Sequence, residues 1–226
     1  MLKESVTADR LSVIRLECLV PEVFADSDVS GSELWLADFS LRRGTHYLIE
    51  AGSGSGKSSL ISYIYCSRRD FRGRITFDGR DSRSLSVADI CRLRRYNLAL
   101  LPQEMRLFGE LSVMDNIMLK NRLTDYCSEA EIRAMLERLE IDNKVNVPAG
   151  RLSIGQMQRV ALIRALCQPF DFLLLDEPVS HLDSRINGIA AAMVADAAAA
   201  RDASVVVTSV GNALSLPADM ISVIKL

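Results

Sequence analysis

The most informative stretch of the sequence is Ala51-Gly52-Ser53-Gly54-Ser55-Gly56-Lys57-Ser58. It follows an apolar run at residues 47–50 that is typical of a buried strand, and it precedes a helix-compatible stretch at residues 59–65. Glycines at such a junction let backbone N–H groups surround a phosphate chain at a helix N-terminus, while Lys57 supplies a cation and the Ser58 hydroxyl ligates Mg²⁺. The stretch therefore predicts a phosphate-binding loop; the alternative is a surface loop rich in Gly and Ser.

Short runs rich in Val, Leu and Ile predict strands that are buried on both faces of a sheet. They lie at residues 47–50, 97–101, 172–176 and 204–208. Helical stretches alternate with them, including one predicted at residues 186–200, so the pattern predicts an α/β core around a largely parallel sheet.

Two further regions differ from this alternating pattern. In the first 45 residues, apolar runs at 13–16 and 34–39 are separated by a turn cluster at 26–31, which predicts a hairpin in a smaller antiparallel sheet. Between Gln103 and Gly150 the strand runs stop, and Ser128-x-x-Glu131 is a capping-box pattern ahead of one clear amphipathic helix. The apolar positions of that helix are Ile132, Met135, Leu136 and Leu139. This second region predicts a helical insert.

The composition excludes several classes of protein. The 226 residues include 27 Lys and Arg against 29 Asp and Glu, so the basic footprint of a nucleic-acid-binding protein is missing and no nucleic acid is expected as a partner. No apolar run reaches the ~18–20 residues of a membrane span, and the N-terminus lacks a signal-peptide pattern. Five cysteines, an odd count without metal-binding spacing, predict reduced thiols in the cytosol.

A second motif places two carboxylates at the end of a buried strand. A phosphate loop alone fits kinases, GTPases, helicases and transport ATPases, but here the apolar run 172–175 is followed by Asp176 and Glu177. At such a strand end, a first acid can hold Mg²⁺ and a second can polarise the water that attacks a γ-phosphate. Ordinary surface charge is the alternative, although buried apolar strands rarely end in two adjacent acids.

A third motif lies between the first two. Leu152-Ser153-Ile154-Gly155-Gln156 opens a long helix. The free N–H groups and the positive dipole end of a helix start favour an anion, so the segment predicts a second phosphate-binding surface. A Ser-capped helix without a ligand is the alternative, and the segment taken alone favours it.

In combination, these motifs resemble those of the ATP-binding cassette (ABC) family, the nucleotide-binding subunits of ABC transporters, over nearly the whole chain. In the family's order, the sequence has the phosphate loop, a glutamine loop at Leu101-Pro102-Gln103-Glu104, a signature resembling Leu-Ser-Gly-Gly-Gln at 152–156, the acidic strand, and Ser180-His181-Leu182-Asp183. The resemblance implies a P-loop NTPase fold with a RecA-like parallel sheet core, an N-terminal antiparallel β subdomain and a helical insert. It divides residues 1–226 into an α/β core (1–103 and 157–226) and a helical signature subdomain (104–156).

The resemblance also implies roles for individual residues. Two subunits would pack head to tail, with ATP and Mg²⁺ between the phosphate loop of one and the signature of the other. Glu177, Gln103 and Lys57 would be catalytic, and Ser58, Gln103 and Asp176 would hold the metal. Contacts to the nucleotide would come from Ala51, Gly52, Ser53, Gly54, Ser55, Gly56, Lys57, Ser58 and Ser59, from Ser153, Gly155, Gln156 and Asp183, and from Phe24 stacked on adenine.

Three positions depart from the family's pattern. Ala51 and Ile154 replace glycines, and Ser209 replaces the switch histidine. Serine is too short to hold the γ-phosphate and the attacking water from the same backbone position. We therefore expect ATP binding with slow hydrolysis at this subunit's own site.

The function implied by the resemblance is that of the ATP-binding subunit of a membrane transporter, an ATPase that moves a separate integral membrane permease. Its partners would be that permease and a second ATPase subunit, identical or different, and it would lie on the cytoplasmic face of the cell membrane. The alternative is an ATP-gated clamp that regulates or scaffolds a membrane complex without turnover. Ser209 favours the clamp, whereas Glu177, Gln103 and Asp183 favour the enzyme.

Overall fold

A five-stranded parallel sheet forms the centre of the protein. The structure is a computed structural model that describes residues 9–217 and 221–226. Within these residues the strands are β1 Val13–Pro21, β2 Phe39–Arg42, β3 His46–Glu50, β4 Phe71–Phe77, β5 Arg80–Asp81, β6 Leu98–Leu101, β7 Phe172–Asp176, β8 Ser204–Ser209 and β9 Ile221–Lys225. The parallel sheet has the order β6-β7-β8-β3-β9. The predicted α/β core with a parallel sheet is confirmed.

Both faces of this sheet are covered by apolar side chains. On β7, Phe172 and Leu174 join a core that includes residues of β1, β4 and the helix after β3, whereas Leu173 and Leu175 join a core formed with the helical insert and the later helices. Alternate residues of a strand point to opposite faces, so four consecutive apolar residues are buried together. On β7 the first polar residue, Asp176, therefore lies at the carboxyl end of the strand.

Six α-helices surround the sheets in the described part of the chain. They are α1 Lys57–Ile64, α2 Val87–Tyr96, α3 Val113–Asn121, α4 Glu129–Arg138, α5 Ile154–Leu166 and α6 Ser184–Ala199. The predicted capping box is present at α4, where the Ser128 side chain accepts from the N–H of Glu131 and the Glu131 carboxylate accepts from the N–H of Ser128. None of the helices in residues 9–217 and 221–226 combines the length and the hydropathy of a membrane span.

The insert contains a helix that the sequence analysis missed. α3 precedes α4 and packs on α5. Its start carries a readable signal, because Ser112 caps it by accepting from the N–H of Asp115. The helical period of α3 is difficult to recognise in the sequence, because the helix is short and apolar Leu119 lies on its exposed face.

The antiparallel sheet has the order β2-β1-β4-β5. Its existence was predicted, but the expected hairpin partner was wrong. Val13 pairs with Arg42 and Leu16 with Phe39, so the run 34–39 contributes only its last residue to a strand. Leu36 has a φ of 61°, in the left-handed region that an extended strand excludes, while Leu34 and its neighbour Trp35 are buried in the core. Burial, rather than strand formation, explains the apolar character of this run.

The cysteines are free thiols, as predicted. Cys127 and Cys167 are buried in the core, whereas Cys18 and Cys91 are exposed and Cys66 is half-buried. Two of the five cysteines, Cys127 and Cys167, therefore act as small buried apolar residues.

Candidate nucleotide-binding site

The glycine-rich loop joins β3 to α1 at the carboxyl edge of the parallel sheet. Gly56 caps α1 with a φ of 96°, a backbone conformation that glycine adopts without strain. A Cβ at this position would lie 3.0 Å from the rings of both Phe24 and Trp35, so a side chain is also excluded by packing. The loop therefore presents its backbone, and the free N–H groups at the start of α1, to whatever occupies it.

Lys57 lies across this loop with a buried side chain. Its Nζ donates to the carbonyl oxygens of Ala51 at 2.9 Å and Gly52 at 2.7 Å. Among residues 9–217 and 221–226, no carboxylate forms an ion pair with it. An anion in the loop would neutralise its positive charge.

Ala51 causes no distortion at the first position of the loop, where the phosphate-loop motif has glycine. Its φ does not lie in the left-handed region. Its N–H donates to the carbonyl oxygen of Ser209 at 3.3 Å, which ties the loop to the end of β8. A methyl group is accommodated there because the backbone does not need glycine's freedom.

The two acids at the end of β7 are held by a residue that the sequence analysis missed. Thr208 on β8 lies opposite Asp176 in the sheet, and its hydroxyl donates to Oδ1 of Asp176 at 2.6 Å. The same hydroxyl accepts from the N–H of Glu177 at 3.2 Å. Thr208 thus fixes the buried Asp176 carboxylate and leaves its Oδ2 without a hydrogen bond among the described residues.

Gln103 bridges the loop and the acids. Its Oε1 lies 3.5 Å from the Ser58 hydroxyl, and its Nε2 lies 3.4 Å from Oε2 of Glu177. Ser58 lies in the first turn of α1, and Gln103 and Glu177 follow β6 and β7; the three side chains meet because the carboxyl ends of parallel strands share one edge of the sheet. A hydroxyl, an amide oxygen and a carboxylate are the hard oxygen donors that Mg²⁺ prefers, so Ser58, Gln103 and Asp176 fit that ion.

The role of Thr208 can be tested by removing its hydroxyl. Thr208→Val leaves the buried Asp176 carboxylate without its donor, and we expect the free energy of unfolding to fall by about 1.5–3 kcal/mol. Thr208→Ser keeps the hydroxyl and should retain most of the stability. Urea unfolding of the two variants measures the difference, and equal midpoints would contradict the assigned hydrogen bond.

The signature residues form the capped start of α5. The Ser153 hydroxyl accepts from the N–H of Gln156 at 3.3 Å, and the Gln156 side-chain oxygen accepts from the N–H of Ser153 at 2.9 Å. Gly155 has a steric reason to be glycine, because a Cβ there would lie 2.8 Å from the carbonyl oxygen of His181. Among the described residues no hydrogen bond joins these residues to residues 51–58.

Gln158 is a second functional residue that the sequence analysis did not identify. It is buried, and its Nε2 donates to the carbonyl oxygen of Glu177 at 3.0 Å and to the Ser180 hydroxyl at 3.2 Å. Its Oε1 accepts from the N–H of His181 at 3.0 Å. Gln158 therefore connects the signature helix to the segment after Glu177. Its position two residues beyond the signature was the available signal.

Asp183 serves as the N-cap of α6. Its carboxylate accepts from the N–H of Ile186 at 2.9 Å, and this hydrogen bond lowers the pKa of Asp183. The structure thus gives this residue a local capping role, and its side chain remains exposed.

Phe24 lines a cavity of about 500 Å³ beside the glycine-rich loop. The cavity is also bounded by Val29, Trp35, Ser53, Gly54 and Ser55. Trp35 is buried, and its Nε1 donates to the carbonyl oxygen of Ser55 at 3.2 Å, so it supports the loop from behind. Phe24 is half-buried and is therefore the aromatic ring available to a ligand in this cavity.

Ser209, at the end of β8, directs its hydroxyl to the backbone. Its Oγ accepts from the N–H of Gly211 at 3.0 Å, and the residue is 1% exposed. The hydroxyl is therefore already engaged by the turn that follows the strand.

The parallel sheet, the loop between β3 and α1, and the acids at the end of β7 together define a P-loop NTPase fold. Residues 36–180 match the sequence model of the family described as ABC transporter. This chain belongs to the ABC transporter family, as the resemblance predicted.

Individual relatives align over part of their length. The chain is 32% identical over 153 residues to the macrolide export ATP-binding/permease protein MacB of Shewanella sp. (strain ANA-3), and the alignment covers 65% of this chain but 23% of that protein. It is 32% identical over 146 residues to the lipoprotein-releasing system ATP-binding protein LolD of Buchnera aphidicola subsp. Schizaphis graminum, covering 63% of this chain and 64% of that protein. The chain thus spans less than a quarter of the exporter's length.

Two solved structures share the fold. The dimeric, post-hydrolysis ATP-binding cassette MJ0796 bound to ADP and Pi superposes with a TM-score of 0.73 at 23% identity, over 88% of each chain. A bacterial ABC exporter of the Atm1 family with ATP bound superposes with a TM-score of 0.73 at 24% identity, over 96% of this chain and 38% of that chain. The predicted P-loop NTPase fold with an antiparallel subdomain and a helical insert is confirmed.

Proposed function

We propose that this chain is the ATP-binding component of an ABC membrane transporter and that it hydrolyses ATP to move a separate permease. The observation that carries the proposal is the convergence of Ser58, Gln103 and Glu177 beside Lys57, which forms no ion pair among the described residues. A triphosphate in the loop would be bound by backbone N–H groups and Lys57, and its terminal phosphate would lie next to a carboxylate placed to activate water.

Each side chain has a role that its surroundings support. Ser58, Gln103 and Asp176 would hold Mg²⁺, which supplies charge neutralisation to the phosphates when it is bound. Glu177 orients and deprotonates the attacking water, and Gln103 keeps the Glu177 carboxylate in place. Lys57 leaves its carbonyl partners to contact the β- and γ-phosphates. Phe24 contacts adenine from the cavity beside the loop.

A second subunit completes the site. The start of α5, with Ser153, Gly155 and Gln156, has the free N–H groups that favour an anion, and within the described residues it makes no hydrogen bond to its own phosphate loop. We assign it, with Asp183, to the ATP of a partner packed head to tail. ATP would then hold the two subunits together, and hydrolysis would release them. In this scheme residues 104–156 act as the subdomain that carries the signature.

Hydrolysis at this chain's own site would be slow. The Ser209 hydroxyl is engaged by the N–H of Gly211 and is too short to hold a γ-phosphate in register with the attacking water. The other residues of the site are present, so binding is retained while the chemical step is slowed.

The permease would dock in a groove where the glutamine loop meets α3 and α5. The groove encloses about 300 Å³ and is lined by Tyr65, Pro102, Arg106, Phe108, Leu119 and Lys120, among others. Phe108 is 59% exposed and offers an apolar contact, while Arg106, Lys120 and the neighbouring Arg164 make the groove basic. This chemistry fits a cytoplasmic helix of the membrane chain that carries an apolar anchor and an acidic residue.

Lys120 gives the groove a measurable pH dependence. Burial, reinforced by the charge of Arg164, lowers the pKa of Lys120 to about 8. Below pH 8 the Lys120 ammonium is charged in both the folded and the unfolded chain, so burying it lowers the free energy of unfolding by the full desolvation cost. Between pH 8 and the unfolded pKa of about 10.4, folding releases the proton and this destabilisation declines. Lys120→Met should therefore stabilise the isolated chain by up to about 3 kcal/mol at pH 7 and by about 1 kcal/mol at pH 9.5. Equal effects in urea unfolding at the two pH values would contradict this environment for Lys120.

Purification of the tagged full-length chain from membranes in mild detergent tests the proposed function. We expect a multi-span membrane protein to co-purify, with ATP bound to the complex in the presence of Mg²⁺. A second ATPase chain in equal amount would identify a heterodimer, and its absence a homodimer. Phe108→Asp, in the groove, should lose the membrane protein and retain ATP binding. Recovery of the unmodified chain without a membrane protein, or without ATP affinity, would overturn the proposal.

A further inference from the structure

The chain has two histidines, and only one of them lies near the candidate site. His46 begins β3, at the opposite end of that strand from the glycine-rich loop, and its Nδ1 accepts from the N–H of Val205 at 3.2 Å. Burial lowers the pKa of His46, which fits a neutral structural residue. His181 is therefore the only imidazole available to the phosphate chemistry.

His181 lies against the start of the signature helix. Its carbonyl oxygen is 2.8 Å from the point that a Cβ on Gly155 would occupy, and its N–H donates to Oε1 of Gln158 at 3.0 Å. The backbone of residue 181 is thus fixed to the first two turns of α5. The side chain itself is exposed.

The imidazole is oriented through one of its nitrogens. Nδ1 lies 3.0 Å from the Ser180 hydroxyl, whereas Nε2 makes no hydrogen bond among the residues described. The Ser180 hydroxyl has one proton and two acceptors within reach, the carbonyl oxygen of Glu177 at 3.3 Å and Nδ1 of His181 at 3.0 Å. When the hydroxyl donates to Nδ1, the ring proton lies on Nε2. In that tautomer the ring is a donor for an anion, and Ser180 is its positioning residue.

We propose that His181 of one subunit donates from Nε2 to the γ-phosphate of the ATP held by Lys57 of the other subunit, in the place that Ser209 leaves without an imidazole. The inference rests on the head-to-tail dimer of the proposed function. In that dimer Gly155 would face the partner's γ-phosphate, and the backbone of His181 packs directly on Gly155. The donated hydrogen bond would hold the terminal phosphate in register with the water activated by Glu177.

Mixed dimers of the full chain test the assignment. His181→Ala removes only the ring, since the contacts of this segment to Gln158 and Gly155 are made by the backbone. We expect the kcat for ATP to fall about 10- to 100-fold, with a smaller change in KM. Lys57→Met supplies a chain that cannot hold its own ATP. In an equal mixture, half of the dimers contain one chain of each variant. Each of these mixed dimers has one intact site, formed by Lys57 of the His181→Ala chain and His181 of the Lys57→Met chain. A quarter of all sites are therefore intact, and the rate should recover to roughly a quarter of the unmodified rate.

A role of His181 at the ATP held by its own chain gives the opposite result. The mixture would then turn over more slowly than His181→Ala alone, and the inference would be wrong. Ser209→His adds a second test, because an imidazole restored at the switch position should make turnover insensitive to His181→Ala. An unchanged loss in the double variant would also overturn the inference.

A chemical readout is independent of turnover. Carbethoxylation by diethyl pyrocarbonate, followed by peptide mass spectrometry, should modify exposed His181 in the nucleotide-free chain. ATP and Mg²⁺ should protect it in the Glu177→Gln variant, while buried His46 reacts slowly in both states. If the unmodified chain binds ATP and dimerises but His181 remains reactive, the inference about His181 is wrong and the proposed function is retained. If the chain neither binds ATP nor dimerises, the proposed function fails.

Discussion

Glu177→Gln should lower the rate of phosphate release at least 100-fold while ATP still binds. The substitution keeps the size of the side chain and removes the base, and a positioned general base contributes about 10²–10⁴-fold to a rate. Gln103 Nε2 lies 3.4 Å from the Glu177 carboxylate, so the change falls at the point where the loop, the glutamine and the acids meet. Steady-state phosphate release and equilibrium binding of a fluorescent ATP analogue measure the two effects separately.

A matched control is available on the insert. Glu137 is an exposed residue of α4, away from the glycine-rich loop, so Glu137→Gln should change neither ATP binding nor turnover. Turnover that survives Glu177→Gln would show that another group activates the water. ATP binding without measurable turnover in the unmodified chain would instead favour the ATP-gated clamp, as Ser209 does.

Lys57→Met should weaken ATP binding by roughly 100-fold, since a hydrogen bond to a charged group contributes about 1.5–3 kcal/mol. Methionine keeps the buried aliphatic stem and removes the Nζ that now bonds to Ala51 and Gly52. The loss should be larger for ATP than for AMP, because the interaction is assigned to the terminal phosphates. Isothermal titration of the variant with both nucleotides measures the difference.

Lys120→Met makes the same chemical change in α3, 63 residues after Lys57 in the sequence, and it should leave ATP affinity unaltered. An equal loss in the two variants would indicate a general effect of removing a buried cation. Unchanged affinity in Lys57→Met would place the triphosphate outside the glycine-rich loop.

Local sequence patterns were sufficient for most of the fold. The runs ending at Glu50, Leu101 and Asp176 predicted strands because burial on both faces requires continuous apolar residues, and the loop was readable because its glycines and Lys57 are adjacent in sequence. The start of α4 was readable because its capping box spans four consecutive residues. Each of these signals is contained within one element.

The residues that were missed act through contacts between distant parts of the chain. Thr208 holds Asp176 because β7 and β8 are neighbours with a particular register, and nothing near residue 208 indicates that register. Gln158 reaches the backbone of Glu177 across 19 positions of sequence, and Trp35 supports Ser55 from a segment that resembled a strand. Sequence periodicity reports which face of an element is apolar, but it does not report which neighbour that face meets.

The attachment of α5 at both of its ends has a mechanical consequence. The 13-residue helix, about 20 Å long, begins at the signature, and Arg164 in its last turn donates to the carbonyl oxygens of Met105 and Arg106. These carbonyls lie two and three residues beyond Gln103. In the proposed head-to-tail dimer, the two ends of the helix would lie near different ATP molecules, so a displacement of the groove would move the signature away from one nucleotide and Gln103 away from the other at the same time.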